Sequence, residues 1–172
     1  MSAKAREGDA APSDLLVAGA FATAALTVAM YAARDAGIVK LDLPLLLGTF
    51  LRPPVWRARL FGLVPHVAAS VGLFPPPYAA GLRALKLPAA TWTGVLLGVP
   101  HWLTSLAGMW LAGRLNPRAD RAGTSEEAER MGRVLAPGAF GQRYGPLAPP
   151  AVFAGHLLYG GVLGWWLGRR GQ

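Results

Sequence analysis

The stretch LPAATWTGVLLGVPHWLTSLAGMWLAG, residues 87–113, contains no Asp, Glu, Lys or Arg. A bilayer core about 30 Å thick is crossed by roughly 20 apolar residues of helix rising 1.5 Å each, so this run can span it. Uncharged runs of similar length recur at residues 15–33, 60–82 and 144–168. Gly and Pro are frequent in all but the first, which argues against helices stable in water. In a bilayer, neighbouring helices re-satisfy the freed backbone groups, so hydropathy outweighs propensity. The pattern predicts an all-α integral membrane four-helix bundle, one domain over residues 14–170 behind a polar tail at 1–13.

Composition agrees with this solvent. The 172 residues are 53% hydrophobic and only 15% charged, too apolar for an ordinary soluble domain. Lys4 and Arg6 ahead of the first run also suit a secretory signal, but that run exceeds the usual apolar length of roughly 7–15 residues. The formal charge of +8 comes from 17 basic residues that sit mostly in loops and flanks. There they set topology and meet lipid headgroups, which excludes nucleic acid as the expected partner in favour of the bilayer. With no cysteine, disulfides, thiolate metal sites, iron–sulfur clusters and covalent haem are excluded.

Between the spans, Asp42-Leu43-Pro44 and the apolar run 45–51 predict a short helix with Asp42 as its cap, interfacial or re-entrant, closed by Arg52-Pro53-Pro54. Ser13 or Asp14 is expected to cap the first span. The prolines Pro75, Pro76 and Pro77 must break or kink the second, with the remainder from Tyr78 completing the crossing. In the long loop before the fourth span, Ser125-Glu126-Glu127 predicts a surface helix through about Leu135, ended by Pro137-Gly138. Four crossings return the chain to its starting side, so both termini share one side of a bacterial inner membrane. Lys4, Arg6, Arg83, Lys86, Arg169 and Arg170 lie on the poorer side; the richer first and third loops are expected in the cytoplasm.

All three histidines fall inside spans: His66, His101 and His156. From the loop-one and loop-three side their depths are roughly 14, 18 and 10 Å, which brings three imidazoles to a similar level. Val64-Pro65-His66-x-x-x-Ser70 and Val99-Pro100-His101-x-x-x-Ser105 form a weak internal repeat. Each proline frees the carbonyl four residues earlier, of Phe61 and Leu96, and each serine shares its histidine's face. One reading is a polar pocket in which histidines ligate haem b, a metal or a chlorophyll-type pigment. The other is structural, with the rings bonded to the freed carbonyls or to Thr23, Thr27 and Thr104. Gly160, Gly164 and Gly168, four residues apart, form a helix-packing face for this chain or for another subunit. No transmembrane carboxylate, His-Glu-x-x-His motif or phosphate loop occurs. A non-catalytic accessory or scaffold subunit is therefore expected first, a cofactor-binding protein second, and a transporter or channel third.

The chain also resembles a family of small bacterial four-helix membrane proteins to which no activity is attached. The resemblance rests on Leu41-Asp42-Leu43-Pro44, Leu47-Gly48, His66, Pro137-Gly138-x-Phe140-x-x-x-Tyr144-Gly145-Pro146 and Gly155-His156-x-x-Tyr159-Gly160-x-x-x-Gly164. It implies a four-helix membrane fold with the loop before the last helix ordered against the bundle. The three successive prolines depart from the smoother second helix the family implies.

Overall fold

A computed structural model describes residues 10–51 and 54–170. The chain is all-α, with four apolar helices long enough to cross a membrane: Pro12–Asp35, Trp56–Ala84, Thr91–Leu115 and Ala148–Arg170. In chain order the helices are α1 (Pro12–Asp35), α2 (Leu43–Gly48), α3 (Val55–Ala68), α4 (Pro75–Ala84), α5 (Thr91–Leu115), α6 (Ser125–Arg130) and α7 (Ala148–Arg170).

Helix α1 starts earlier than expected. Its N-cap is Ala11, with Pro12 in the first turn and no side-chain cap. Proline suits that position because its fixed φ is helical and its missing N–H would have had no partner. Asp14 instead sits one turn in, 3.8 Å from the Arg170 guanidinium at the end of α7.

Asp42 caps α2 as expected, accepting the Leu45 amide at 2.9 Å. A 3-10 turn, Thr49–Leu51, comes directly after it. The anticipated closing residues Arg52 and Pro53 lie outside the described residues, and Pro54 caps α3. Helix α2 is buried, with Leu45, Leu46 and Thr49 almost wholly shielded. It lies against α3 through two facing glycines: a Cβ on Gly48 would overlap the Ala58 carbonyl, and one on Gly62 the Pro44 carbonyl.

The second span bends without ending. A π segment, Ala69–Leu73, joins α3 to α4, and the three prolines fill the first turn of α4. The wider π turn lets the Phe74 amide reach the Ala69 carbonyl at 3.0 Å, while the prolines that follow supply no amide to the next carbonyls of the segment.

The long third loop is ordered. Thr124 and Glu127 form a reciprocal cap on α6, whose amide bond holds the Glu127 carboxyl below the usual glutamate range. The helix stops at Arg130, short of the expected Leu135, because Gly132 turns the chain at φ +66°. Val134–Leu135 then pairs in parallel with Ala119–Asp120. Asn116 ties the end of α5 to α2, its amide donating to the Leu46 carbonyl at 2.8 Å and the Thr49 hydroxyl at 2.6 Å. A 3-10 segment, Ala139–Tyr144, leads into α7, and the Tyr144 hydroxyl donates to the Leu135 carbonyl at 2.6 Å.

Helix α7 is the centre of the bundle, touching α1 on one side and α5 on the other. The core between them holds Ala18, Ala22, Tyr78, Tyr159 and Leu163. Trp56, Trp110, Trp165 and Trp166 each lie under the guanidinium of a nearby arginine towards the helix ends, an arrangement suited to the lipid interface.

Candidate functional site

The glycine face of α7 is spent on α5. A Cβ on Gly160 would overlap the Gly94 carbonyl, one on Gly164 the Ala90 carbonyl, and one on Gly168 the Ala89 carbonyl. Gly98 lies on the backbone of His156 in the same way, 2.7 Å from its carbonyl to where a Cβ would sit. This close crossing brings His101 of α5 beside His156 of α7, with ring centroids 4.8 Å apart and planes at 83°.

The two rings are held differently. His156 Nδ1 is 2.7 Å from the Val152 carbonyl one turn earlier. A carbonyl only accepts, so Nδ1 carries the proton and Nε2 keeps its lone pair. His101 Nδ1 pairs with the Tyr78 hydroxyl at 3.1 Å. Phe74 covers the His101 ring at 4.1 Å, and Tyr159 meets it edge-on at 5.0 Å. Among the described residues the rings bond neither the carbonyls of Phe61 and Leu96 nor the threonines: Thr23 bonds the Gly19 carbonyl and Thr104 the His101 carbonyl, each within its own helix, and Thr27 only borders the same cavity.

The carbonyl that is captured across helices belongs to Ser70. In the π segment its partner would be the amide of residue 75, but Pro75 has none. The Tyr159 hydroxyl donates to it at 2.5 Å. The triple proline is thus the source of a polar bond between the second span and α7. The sequence signals only the missing amides of the three prolines; the partner, 89 positions away, it does not show.

All three histidines line one cavity of about 140 Å³. Ser70, Ser105 and Phe74 also border it, so both serines of the internal repeat face the same space as their histidines. His66 has no hydrogen-bond partner among the described residues and stands half-buried on the α3 wall. The remaining lining is largely aliphatic, including Leu26, Met30 and Leu63. A single water needs only about 10–15 Å³ of such space, so a small molecule or several waters fit.

One end of the cavity is charged. Arg34 Nη1 and Arg59 Nε reach the same Asp42 oxygen at 2.5 and 2.7 Å, and Glu129 of α6 lies 3.7 and 3.6 Å from the two guanidinia. Capping was the role expected of Asp42; it is also the hub joining α1, α2, α3 and α6. Isolated spacing did not reveal this, since the arginines are 8 and 17 residues away.

The expected cofactors can be tested against this geometry. His101 and His156 are in edge-to-face contact, which leaves no room for a macrocycle between them as axial ligands of one haem. Among the described residues, no group of three or more His, Asp or Glu side chains is placed to hold a metal ion. The chemistry that the lining supports is hydrogen bonding: a free Nε2 on His156, an unbonded ring at His66 and two serines.

No family model, curated protein or solved structure matches this chain. What the fold defines is its class, a small multi-helix protein with long apolar helices consistent with a membrane protein.

Proposed function

We propose that this chain is a non-catalytic integral membrane protein that holds a small uncharged molecule in the three-histidine cavity. The observation that carries the reading is the convergence of His66, His101 and His156, from three separate spans, on one largely apolar space. An apolar pocket with a few convergent polar groups is the usual form of a small-molecule site. A neutral ligand is favoured because the one carboxylate in the lining, Asp42 at the cavity's charged end, is already paired with Arg34 and Arg59, and the other polar groups, among them the histidines and serines, offer hydrogen bonds. Its polar end would bond His66 and His156, and its apolar body would lie along Leu26 and Leu63.

Purification in mild detergent, then solvent extraction and mass spectrometry, is expected to recover one such molecule per chain. His66→Leu should abolish its retention with little change in melting, because His66 has no hydrogen bond to lose among the described residues. A Soret band in the purified protein, or retention unaffected by His66→Leu, would refute the reading.

An accessory role beside another membrane subunit is the second reading. Gly72 and Gly108 have open space where a Cβ would stand, so a partner helix could approach there as closely as α5 approaches α7. The proposed location is a bacterial plasma membrane, with the basic first and third loops in the cytoplasm. Reporter fusions at Met1 and Gln172 are expected to report the same side; opposite sides would mean that one of the four helices does not cross.

A further inference from the structure

A second cavity, of about 300 Å³, lies at the loop-three end of α5, away from the histidines. It is lined by Arg114, Arg121, Arg143, Trp110, Pro137 and Gly138, with Gly113 and Ala136 completing the wall. Three arginines therefore face one space. None makes a salt bridge among the described residues. The nearby Asp120 carboxylate, which does interact with Arg143, is engaged elsewhere, its Oδ1 by the amides of Ala122 and Gly123 and its Oδ2 3.7 Å from Arg133.

Their hydrogen bonds account for only part of their donors. Arg143 is fixed as a strut, donating to the carbonyls of Asp120 at 3.0 Å, Ala136 at 3.4 Å and Gly123 at 2.8 Å. Arg121 uses one nitrogen on the Arg114 carbonyl at 2.8 Å, which satisfies the end of α5. Arg114 has no hydrogen bond to the protein among the described residues; its guanidinium lies over the Trp110 ring, 4.8 Å from the centroid. Stacked in this way, a guanidinium still presents its in-plane N–H fork.

We infer that this pocket binds the phosphate of an anionic phospholipid headgroup. A guanidinium fork matches phosphate geometry, and basic pockets at the ends of membrane helices are suited to such headgroups. The surroundings separate a lipid from a free phosphate as the source. Leu111, Leu115, Phe140 and Leu147 stand exposed in the neighbouring sequence, and Trp110 is half exposed on the last turns of a span. Trp110 lines the pocket itself, so its exposed ring offers an acyl chain apolar surface beside the arginines, and a free ion gains nothing from it.

The test uses the full chain purified in mild detergent, with phosphatidylglycerol and phosphatidylcholine supplied in equal amounts and bound lipid read by native mass spectrometry. Each arginine near an anionic headgroup contributes about fivefold in affinity, so the wild-type chain should retain phosphatidylglycerol with a clear preference. Arg114→Gln should lower that preference about fivefold at unchanged melting. Arg121→Gln serves as the second variant where Arg114→Gln melts early. Arg57→Gln, which removes the same stacking on Trp56 but does not line the three-arginine pocket, should leave the preference as it was. No preference in the wild type, equal loss in Arg57→Gln, or no loss in the Arg114 and Arg121 variants overturns the assignment. Displacement of phosphatidylglycerol by an equal concentration of inorganic phosphate also overturns it and shows a free-anion site instead.

Discussion

Asp42→Ala is expected to destabilise the folded chain in detergent by about 3 kcal/mol, the low end of the range for removing one partner of a buried ion pair. The Asp42 carboxylate is 3% exposed and receives both Arg34 and Arg59, so alanine strands two guanidinia with one substitution. Those arginines are 27% and 38% exposed, and Glu129 lies close enough to take over part of the pairing, which keeps the loss from the top of the range. Loss of the cap on Leu45 adds about 1 kcal/mol. Asp42→Asn retains an acceptor for that cap and should recover roughly this smaller share. Unfolding in graded SDS, monitored by circular dichroism, measures both variants. If Asp42→Ala unfolds with the wild type, the four-element hub contributes nothing and α2 is held by its apolar residues and the Asn116 bonds. Because Arg34 and Asp42 also border the histidine cavity, the same variant should release the retained small molecule.

Gly160→Leu should be as damaging for a different reason. The nearest atoms to its new Cβ are backbone, the carbonyl of Gly94, with the Tyr78 ring at 3.1 Å behind it. Neither can move as a flexible side-chain tip would, so α5 and α7 must separate. Overpacking costs about 1–3 kcal/mol in a core that can adjust, and a backbone collision belongs at or above the top of that range. Separation would also part His101 from His156. Gly108→Leu is the matched control: it lies on the same α5 with nothing within 4 Å of its Cβ position, and should melt with the wild type. Equal melting of Gly160→Leu and wild type would show that this crossing is not close. A loss in Gly108→Leu would point to a partner or second copy on that open face.

The four crossings were legible in the sequence because hydropathy and length are local and additive; each run of apolar residues reports its own solvent without reference to the others. The cap at Asp42 was legible too, since a cap bonds the amide three residues on. Boundaries that failed did so through local chemistry given too little weight: Pro12 in place of Ser13 at the start of α1, and Gly132 in place of Pro137 at the end of α6. The depth of the histidines could be counted from the spans at 1.5 Å per residue. That they turn inward could be argued from the cost of an unpaired polar ring in lipid, but which neighbours each ring meets could not, because each residue turns a helix by about 100° and the sequence does not say how one helix is rotated against the next. Only the tertiary structure turned His66, His101 and His156 to one cavity and laid Gly160 on Gly94. It alone gave Asp42 two arginines and gave the Ser70 carbonyl to Tyr159, a residue 89 positions away. In a bilayer, where apolar burial does not distinguish one helix face from another, those rotations are chosen by close glycine contacts and by polar groups seeking partners, and both are properties of pairs of helices.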